Sequence, residues 1–287
     1  MYTKNMSRYV PDISTHRWVI IAADRENRPD NEKEEIKHDK CVFCTGQEKI
    51  TSEEVFRIGE GGANEPGWKV RVIKNKYPIT DIHEVFVHSP DHDRDIENLH
   101  VSQIENILQA YKARFNTYTE AGQVLIFCNH GKHAGASMPH PHSQMVVLPT
   151  QINIDTLLRE PLQHISFEDK YFTVYCPDFS QWSYEAWVAP KQEDTMFGEI
   201  TNDAIASLAT IMKRVTKRLE DIYESQYIYA KVDKNTHPFG YNYYIYPRKN
   251  WYLRIIPRFI HRAGFELGTG LSVNIVDPIK AAVELGK

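Results

Sequence analysis

Short apolar runs bounded by proline, glycine and polar turn residues recur along the chain, and they predict a protein built mainly on strands. Residues 18–22, 70–73, 84–88, 124–127, 145–148 and 171–176 each read as one strand. Against these, a period near 3.6 over 96–115 predicts a helix, and 152–161 reads as a short one. The polar, Gly-rich 52–67 reads as a loop, and 264–274 as a strand and loop able to approach a ligand.

The pattern then repeats. A strand at 84–87, a proline turn, a long helix, a strand and an exit at 145–149 are echoed by 185–188, Pro190, a helix over 204–223, a strand over 227–232 and an exit at 253–257. Two related halves are expected, 1–160 and 161–287. The aromatic-rich 241–246 reads as core or dimer surface rather than a cofactor box.

Between the strands at 124–127 and 145–148 lies the stretch Asn129-His130-Gly131-Lys132-His133-Ala134-Gly135-Ala136-Ser137-Met138-Pro139-His140-Pro141-His142-Ser143-Gln144. The prolines favour an extended backbone, which puts His140, His142 and Gln144 on one face. Before them, Gly131, Ala134, Gly135, Ala136 and Ser137 offer backbone N–H groups and a hydroxyl with no bulky shield, a surface suited to phosphate oxygens. Surface histidines in a Pro-rich turn are the plain alternative, but the flanking apolar runs set these at the mouth of a sheet. Counting back from the second exit proline finds Arg248 and Asn250 where His140 and His142 stand, so only the first half carries this chemistry.

Composition narrows the partners. The net charge of −4 over 287 residues is spread without a basic block, so nucleic acid is not expected, whereas small anions remain open. The N-terminus has no signal-type apolar core and no run is long enough to span a membrane, which points to the cytoplasm. Of the four cysteines, Cys128 and Cys176 lie in apolar runs and read as core thiols. Cys41 and Cys44 are two residues apart, a gap that lets both thiolates reach one tetrahedral ion. His92 is a candidate third ligand or an exposed turn histidine; if His140 joins, the set is that of a closed structural zinc site.

Such a site would pin His140 and thereby hold His142 before the small-residue loop, as general base or as nucleophile. With phosphate in the loop, attack by a histidine nitrogen on phosphorus is the natural reaction, and Gln144 can hydrogen-bond the phosphoryl oxygens as charge builds. Arg25 and Arg28, just past a strand, either grip a phosphate or form a solvated turn. Asn75 with Tyr77 either faces a nucleoside or ends a strand.

Together, the Cys-x-x-Cys pair, Ser89-Pro90-Asp91-His92 and the 129–144 stretch resemble the galactose-1-phosphate uridylyltransferase family, the nucleotidyltransferase branch of the histidine-triad superfamily. The resemblance runs from Trp18-Val19 and Arg25-x-x-Arg28-Pro29 through Asn75 to Gly264-Phe265-Glu266, with Ser137-x-x-His140-Pro141-His142-x-Gln144 its most specific part. It implies an α+β fold of two histidine-triad-like halves, each a mainly antiparallel sheet with helices packed on it, and a homodimer with shared active sites. It further implies His142 as the nucleotidylated nucleophile, with Gln144 and Ser137 on the transferred phosphoryl group. Cys41, Cys44, His92 and His140 then match structural Zn²⁺ ligands, and Arg25, Arg28, Asn75 and Asn129 match positions near the nucleotide or its phosphates. The implied reaction is ping-pong transfer from a nucleotide sugar to a sugar 1-phosphate, with UDP-glucose and galactose 1-phosphate the leading pair.

Several positions depart from the uridylyltransferase pattern. Arg254 and Ile256 stand where two histidines of a second metal site are expected, so no such site is expected here. Lys76 replaces an acidic residue beside Asn75, and 264–274 lacks a Tyr-Glu pair associated with hexose binding. The ending and Ala134-Gly135-Ala136-Ser137-Met138 look closer to ADP-glucose phosphorylases, in which phosphate is the acceptor. A nucleotide hydrolase and a zinc-stabilised binding module are the other classes weighed.

Overall fold

The computed structural model describes residues 7–11, 18–22, 25, 41–154, 157, 159–226 and 238–287; Arg28 and the strand expected over 227–232 lie outside them. β1 (Arg8–Pro11) and β2 (Trp18–Ile21) form a small antiparallel sheet. The body of the chain is β3 (Glu54–Gly59), β4 (Trp68–Lys74), β5 (His83–Val87), α1 (Val101–Tyr118), β6 (Gln123–His130), β7 (His142–Leu148), β8 (Ile165–Glu168), β9 (Phe172–Tyr175), β10 (Ala186–Pro190), α2 (Asn202–Gln226), β11 (Tyr241–Ile245), β12 (Leu253–Pro257), α3 (Gly264–Thr269) and α4 (Pro278–Gly286).

Strands β3 to β12 make one ten-stranded antiparallel sheet in the order β3-β4-β5-β7-β6-β11-β12-β10-β9-β8. Inward from either edge the order is the same: first, second, third, fifth and fourth strand of that side. On each side the long helix falls between the third and fourth strands. The seam is the β6–β11 pair, where Asn242 lies opposite Asn129 and Tyr243 opposite Cys128. The α+β class read from the sequence is thus present, and the strand order repeats on the two sides, with β11 in the place that the sequence reading gave to 227–232.

One face of the sheet is covered by α1 and α2. Ile104, Ile107, Leu108, Tyr111 and Phe115 recur at helical spacing along α1 and pack in one core with Phe86, Val124, Ile126, Met145 and Val147. Burial of each such side chain contributes roughly 1.5–3 kcal/mol. Because strand side chains alternate, Ser143, Met145 and Val147 meet the helices while His142 and Gln144 point to the other face. Cys128 and Cys176 are buried free thiols in this core, as expected. Four buried arginines are tied to carboxylates: Arg71 to Glu54 at 2.6 Å, Arg114 to Glu84 at 2.6 and 2.9 Å, Arg159 to Glu160 at 2.9 Å, and Arg254 to Glu185 at 2.7 and 2.8 Å.

The structure differs from the sequence reading at several places. Residues 52–67 contain strand β3, held to β4 by pairing and by the Glu54–Arg71 contact, neither of which a local pattern carries. Edge strand β8 is likewise absent from the reading above. The described residues of 152–161 form no helix. Their carbonyls are bound by sheet side chains instead: Ile152 by Gln123, Leu157 by Tyr252 and Arg159 by Tyr175. Helix α1 begins after His100, whose extended backbone and ring nitrogen, accepting from Ser102 N–H, cap it later than 96. Gly264–Thr269 is a helical turn rather than a strand, because the Glu266 carboxylate caps Ala263 N–H and Gly270 closes the other end with positive φ. Finally, 241–246 is largely core, but as strand β11 on the seam.

Candidate active site

The candidate site is assembled from the knuckle around Cys41, the end of β5, the loop between β6 and β7, and the first residues of β7. Cys44 Sγ lies 3.2 Å from His92 Nδ1 and 3.5 Å from His140 Nδ1, and Cys41 Sγ lies 3.8 Å from His140 Nδ1. The four ligand atoms all lie within 4.8 Å of one another, and all four residues are buried. Zinc bonds of roughly 2.3 Å to sulfur and 2.0–2.1 Å to nitrogen in a tetrahedron give S···N edges of about 3.6 Å, so the donor set fits that ion.

The protonation pattern also fits. His140 Nε2–H donates to the Ser89 carbonyl at 2.8 Å, which leaves Nδ1 with its lone pair aimed at the two sulfurs. Burial pulls His140 down to about 4, so its ring is neutral near pH 7. Burial, with Cys41 and Asp93 beside it, pushes Cys44 up to about 12, so a bound cation is what would stabilise two thiolates there.

His142 is fixed by its neighbour. Its Nδ1 lies 2.9 Å from the His140 carbonyl oxygen, and since a carbonyl only accepts, Nδ1 carries the proton and Nε2 the lone pair. Phe43, from within the Cys-x-x-Cys knuckle, packs its ring 5.5 Å from the His142 ring. The main chain of His142 is held as well, by Val87 across the β5–β7 ladder and by the Cys128 thiol, which donates to its carbonyl.

Gln144 is oriented by a residue the sequence reading missed. Ile79 N–H donates to His83 Nδ1 at 2.9 Å, so His83 Nε2 carries the proton and donates to Gln144 Oε1 at 2.9 Å. With Oε1 engaged, the Gln144 amide nitrogen is the end that can donate to a ligand. Asn75 Nδ2 sits 3.1 Å from His83 Nε2 and 3.5 Å from Gln144 Oε1, and Arg25 donates to the carbonyl of Tyr77. Arg25, Asn75 and Gln144 therefore converge on one end of the site. His83 had a signal: it precedes Val85 and Val87 at every second position, on the face that carries His142.

At the other end, Asn129 Oδ1 accepts from Asn242 Nδ2 at 2.8 Å, and the same amide donates to the Ala134 carbonyl at 2.8 Å. A residue of β11 thus braces both Asn129 and the loop. The loop itself corrects one expectation. The N–H groups of Ala134, Gly135 and Ala136 bond to the carbonyls of Gly131 and Lys132 within the turn, so they do not line an anion site. Gly131 has φ +82, and a Cβ there would meet the Phe239 carbonyl at 3.0 Å, so this glycine is required for the close approach of the 239–240 backbone. A second grouping, Asp95, Glu97 and His130, closes on itself, with His130 Nδ1 3.0 Å from Asp95 and Nε2 3.6 Å from Glu97. Burial opposes charge on His130, yet Asp95 and Glu97 carry its pKa up to about 9.

The fold and the relatives of this chain are those of a nucleotidyltransferase. Residues 78–150 match the model of the galactose-1-phosphate uridyl transferase N-terminal domain. The ADP-glucose phosphorylase of Arabidopsis thaliana is 28% identical over 93% of this chain and 89% of its own. The galactose-1-phosphate uridylyltransferase of Thermotoga maritima is 23% identical over 97% and 96%. The crystal structure of the Arabidopsis thaliana ADP-glucose phosphorylase with bound ADP-glucose superposes with a TM-score of 0.70 at 25% identity, covering 98% of this chain and 99% of that one. The chain is thus similar to galactose-1-phosphate uridylyltransferases and to an ADP-glucose phosphorylase along nearly its whole length. No described helix is long and apolar enough to cross a membrane.

Proposed function

We propose that the chain moves a nucleoside monophosphate from a nucleotide sugar to a phosphate-bearing acceptor through a covalent nucleotidyl-His142. One observation carries this reading: the His140 carbonyl fixes the proton on His142 Nδ1 and leaves Nε2 as an unprotonated nucleophile. In the first half-reaction the Nε2 lone pair attacks the α-phosphorus. A P–N bond forms, the P–O bond to the outer phosphate breaks, and the electron pair leaves with the sugar 1-phosphate. In the second, an oxygen of the acceptor phosphate attacks the same phosphorus and the pair returns to Nε2. Each step exchanges one energetic phosphorus bond for another, so the site must exclude water.

The Gln144 amide and the Ser137 hydroxyl donate to the phosphoryl oxygens, most strongly as charge accumulates in the transition state. Arg25, Arg28, Asn75 and Asn129 bind the nucleotide and its phosphates. A Zn²⁺ held by Cys41, Cys44, His92 and His140 supplies rigidity, fixing the backbone that carries His142. Residues 1–160 form the catalytic half and 161–287 a degenerate one, and two chains pair into a cytoplasmic homodimer that shares its active sites.

UDP-glucose as donor and a hexose 1-phosphate, galactose 1-phosphate foremost, as acceptor are the leading assignment, as in galactose metabolism. A second assignment, ADP-glucose with inorganic phosphate, is favoured by the 28% identity to the ADP-glucose phosphorylase against 23% to the uridylyltransferase. Intact-protein mass after brief mixing with either donor separates them. A UMP adduct discharged by galactose 1-phosphate supports the first, an AMP adduct discharged by phosphate the second, and the absence of any adduct in zinc-loaded protein would reject the transfer mechanism.

A further inference from the structure

His142 sits where the sheet opens. On the β5 side it lies opposite Val87, but on the β6 side the register stops one residue short of it, at the Cys128–Ser143 pair. The backbone that carries the nucleophile is therefore laddered on one side only. Further anchors reach it from the helix side of the sheet, and they act on three consecutive residues. His88 N–H donates to the Pro141 carbonyl at 3.1 Å, the Cys128 thiol to the His142 carbonyl at 3.3 Å, and the Tyr111 hydroxyl to Ser143 Oγ at 2.5 Å. A thiol is a weak donor, whereas the phenol bond is short and both its partners are fully buried.

Tyr111 is the hub of this layer. Its oxygen also lies 2.7 Å from the Tyr243 hydroxyl and 3.2 Å from His88 Nε2. A phenol has one proton and two lone pairs, so with the proton given to Ser143 both other groups donate to it. His88 is then the Nε2–H tautomer, and its Nδ1 keeps a lone pair that meets no hydrogen-bond donor among the described residues. Burial, with His142, His140 and His130 nearby, holds His88 well below the ordinary histidine range, so its ring is neutral, as this assignment requires.

Ser143 and His142 project from opposite faces of β7. A roll of the strand that advances one side chain withdraws the other, so a bond that fixes Ser143 below the sheet fixes His142 above it. Tyr243, which holds Tyr111, belongs to β11 on the far side of the seam, opposite Cys128.

We infer that Tyr111 is a positioning residue: through Ser143 it sets the roll of β7 and with it the place of His142 Nε2, and Tyr243 carries this constraint across the seam. The inference rests on the covalent transfer reading above and names what presents the nucleophile to phosphorus. The three hydroxyls lie buried on the helix face, so they act through His142 and not on the substrate. A misplaced nitrogen slows bond formation without weakening the binding of the donor.

Single-turnover adduct formation in the full-length protein tests this in Y111F, S143A and the double variant Y111F/S143A. Y111F keeps the ring that meets Phe86 edge to face and loses only the hydroxyl. With whichever of UDP-glucose and ADP-glucose labels the wild type, the saturated rate should fall about tenfold in each single variant. Zinc content and the donor concentration for half-saturation should stay within about twofold. Because both substitutions break one bond, the double variant should be no more than about twofold slower than either single one. Y243F should be slower by a few-fold. Rates within about twofold of wild type in both single variants, or losses that multiply in the double variant, would overturn the assignment.

Nitrogen NMR of His142 without donor separates this inference from the transfer reading. The Nδ1–H tautomer is expected in wild type and a mixture of both in Y111F, whose β7 no longer holds the ring over the His140 carbonyl. That difference, in protein that labels with neither donor, would keep the positioning role and reject the transfer; one tautomer in both proteins, again without labelling, would overturn the role as well. If Y111F fails to fold, S143A decides in its place.

Discussion

His142 Nδ1–H donates to the carbonyl oxygen of His140 at 2.9 Å, while the His140 ring points into the Cys41–Cys44–His92 cluster. One residue therefore serves two structures at once, its side chain in the candidate metal centre and its main chain in the orientation of the nucleophile. The intervening Pro141 restricts the backbone between them, so a shift of the knuckle is passed to the imidazole.

Replacing His142 with alanine removes the attacking nitrogen. Labelling by the donor should disappear, and steady-state transfer should fall by at least about a thousandfold. Zinc content should not change, because His142 supplies none of the four ligand atoms. Transfer at wild-type rate in the variant would refute the covalent route.

Loss of a ligand should act differently. Cys44→Ser is expected to lower bound zinc from about one per chain, reduce the unfolding midpoint and slow adduct formation together, since an ion bound by this cluster would hold the segment that carries His142. A variant that loses zinc yet forms the adduct at full rate would separate the two structures that His140 appears in.

His83 is expected to matter without touching substrate. His83→Phe leaves Gln144 Oε1 with only the long contact from Asn75 Nδ2 at 3.5 Å, so the amide can turn, and the turnover number should drop about 10–100-fold with zinc content intact. The Michaelis constant for the donor should move far less. Equal losses in both would instead indicate a general disturbance of β5.

The His130 cluster gives a pH signature for stability. Burial opposes its charge, but Asp95, Glu97 and Glu220 raise its folded pKa to about 9, above the value near 6.5 of an unfolded histidine. A raised pKa stabilises the fold fully below the unfolded value, and that contribution is lost as pH climbs through the folded one. The unfolding midpoint should therefore fall between about pH 7 and pH 10, and the fall should be smaller in His130→Gln, as differential scanning calorimetry can check.

Breaking a buried ion pair has a larger cost. Glu185→Gln strips the charge that meets Arg254 and leaves its guanidinium unpaired beneath Trp187, for an expected loss of about 3–5 kcal/mol in denaturant unfolding. A change below about 1 kcal/mol would mean that water reaches this pair.

Much of this arrangement was legible in the residues. Strands with one continuous apolar run, such as those around Phe86 and Val147, declared themselves, and so did α1 and α2 through their 3.6-residue period. The four cluster residues could be named because cysteine pairs and histidines follow coordination chemistry. What could not be read was set by contacts distant in sequence. β3 depends on its pairing with β4, β11 on a seam between the two halves, and the role of His83 on two hydrogen bonds that only the folded chain brings together. The loop misled for a different reason: small residues do expose their N–H groups, but here the turn consumes three of them internally.

The seam between β6 and β11 also limits how far this molecule can be simplified. If the second half were cut away, β6 would become an open edge of eight residues, with bare amides inviting other chains to pair. Asn129 would lose the β11 amide that braces it, and the glycine turn would lose its backbone floor. A half without a His-Pro-His of its own thus serves as the template on which the other half is cast, and a minimal version of this enzyme has to keep both.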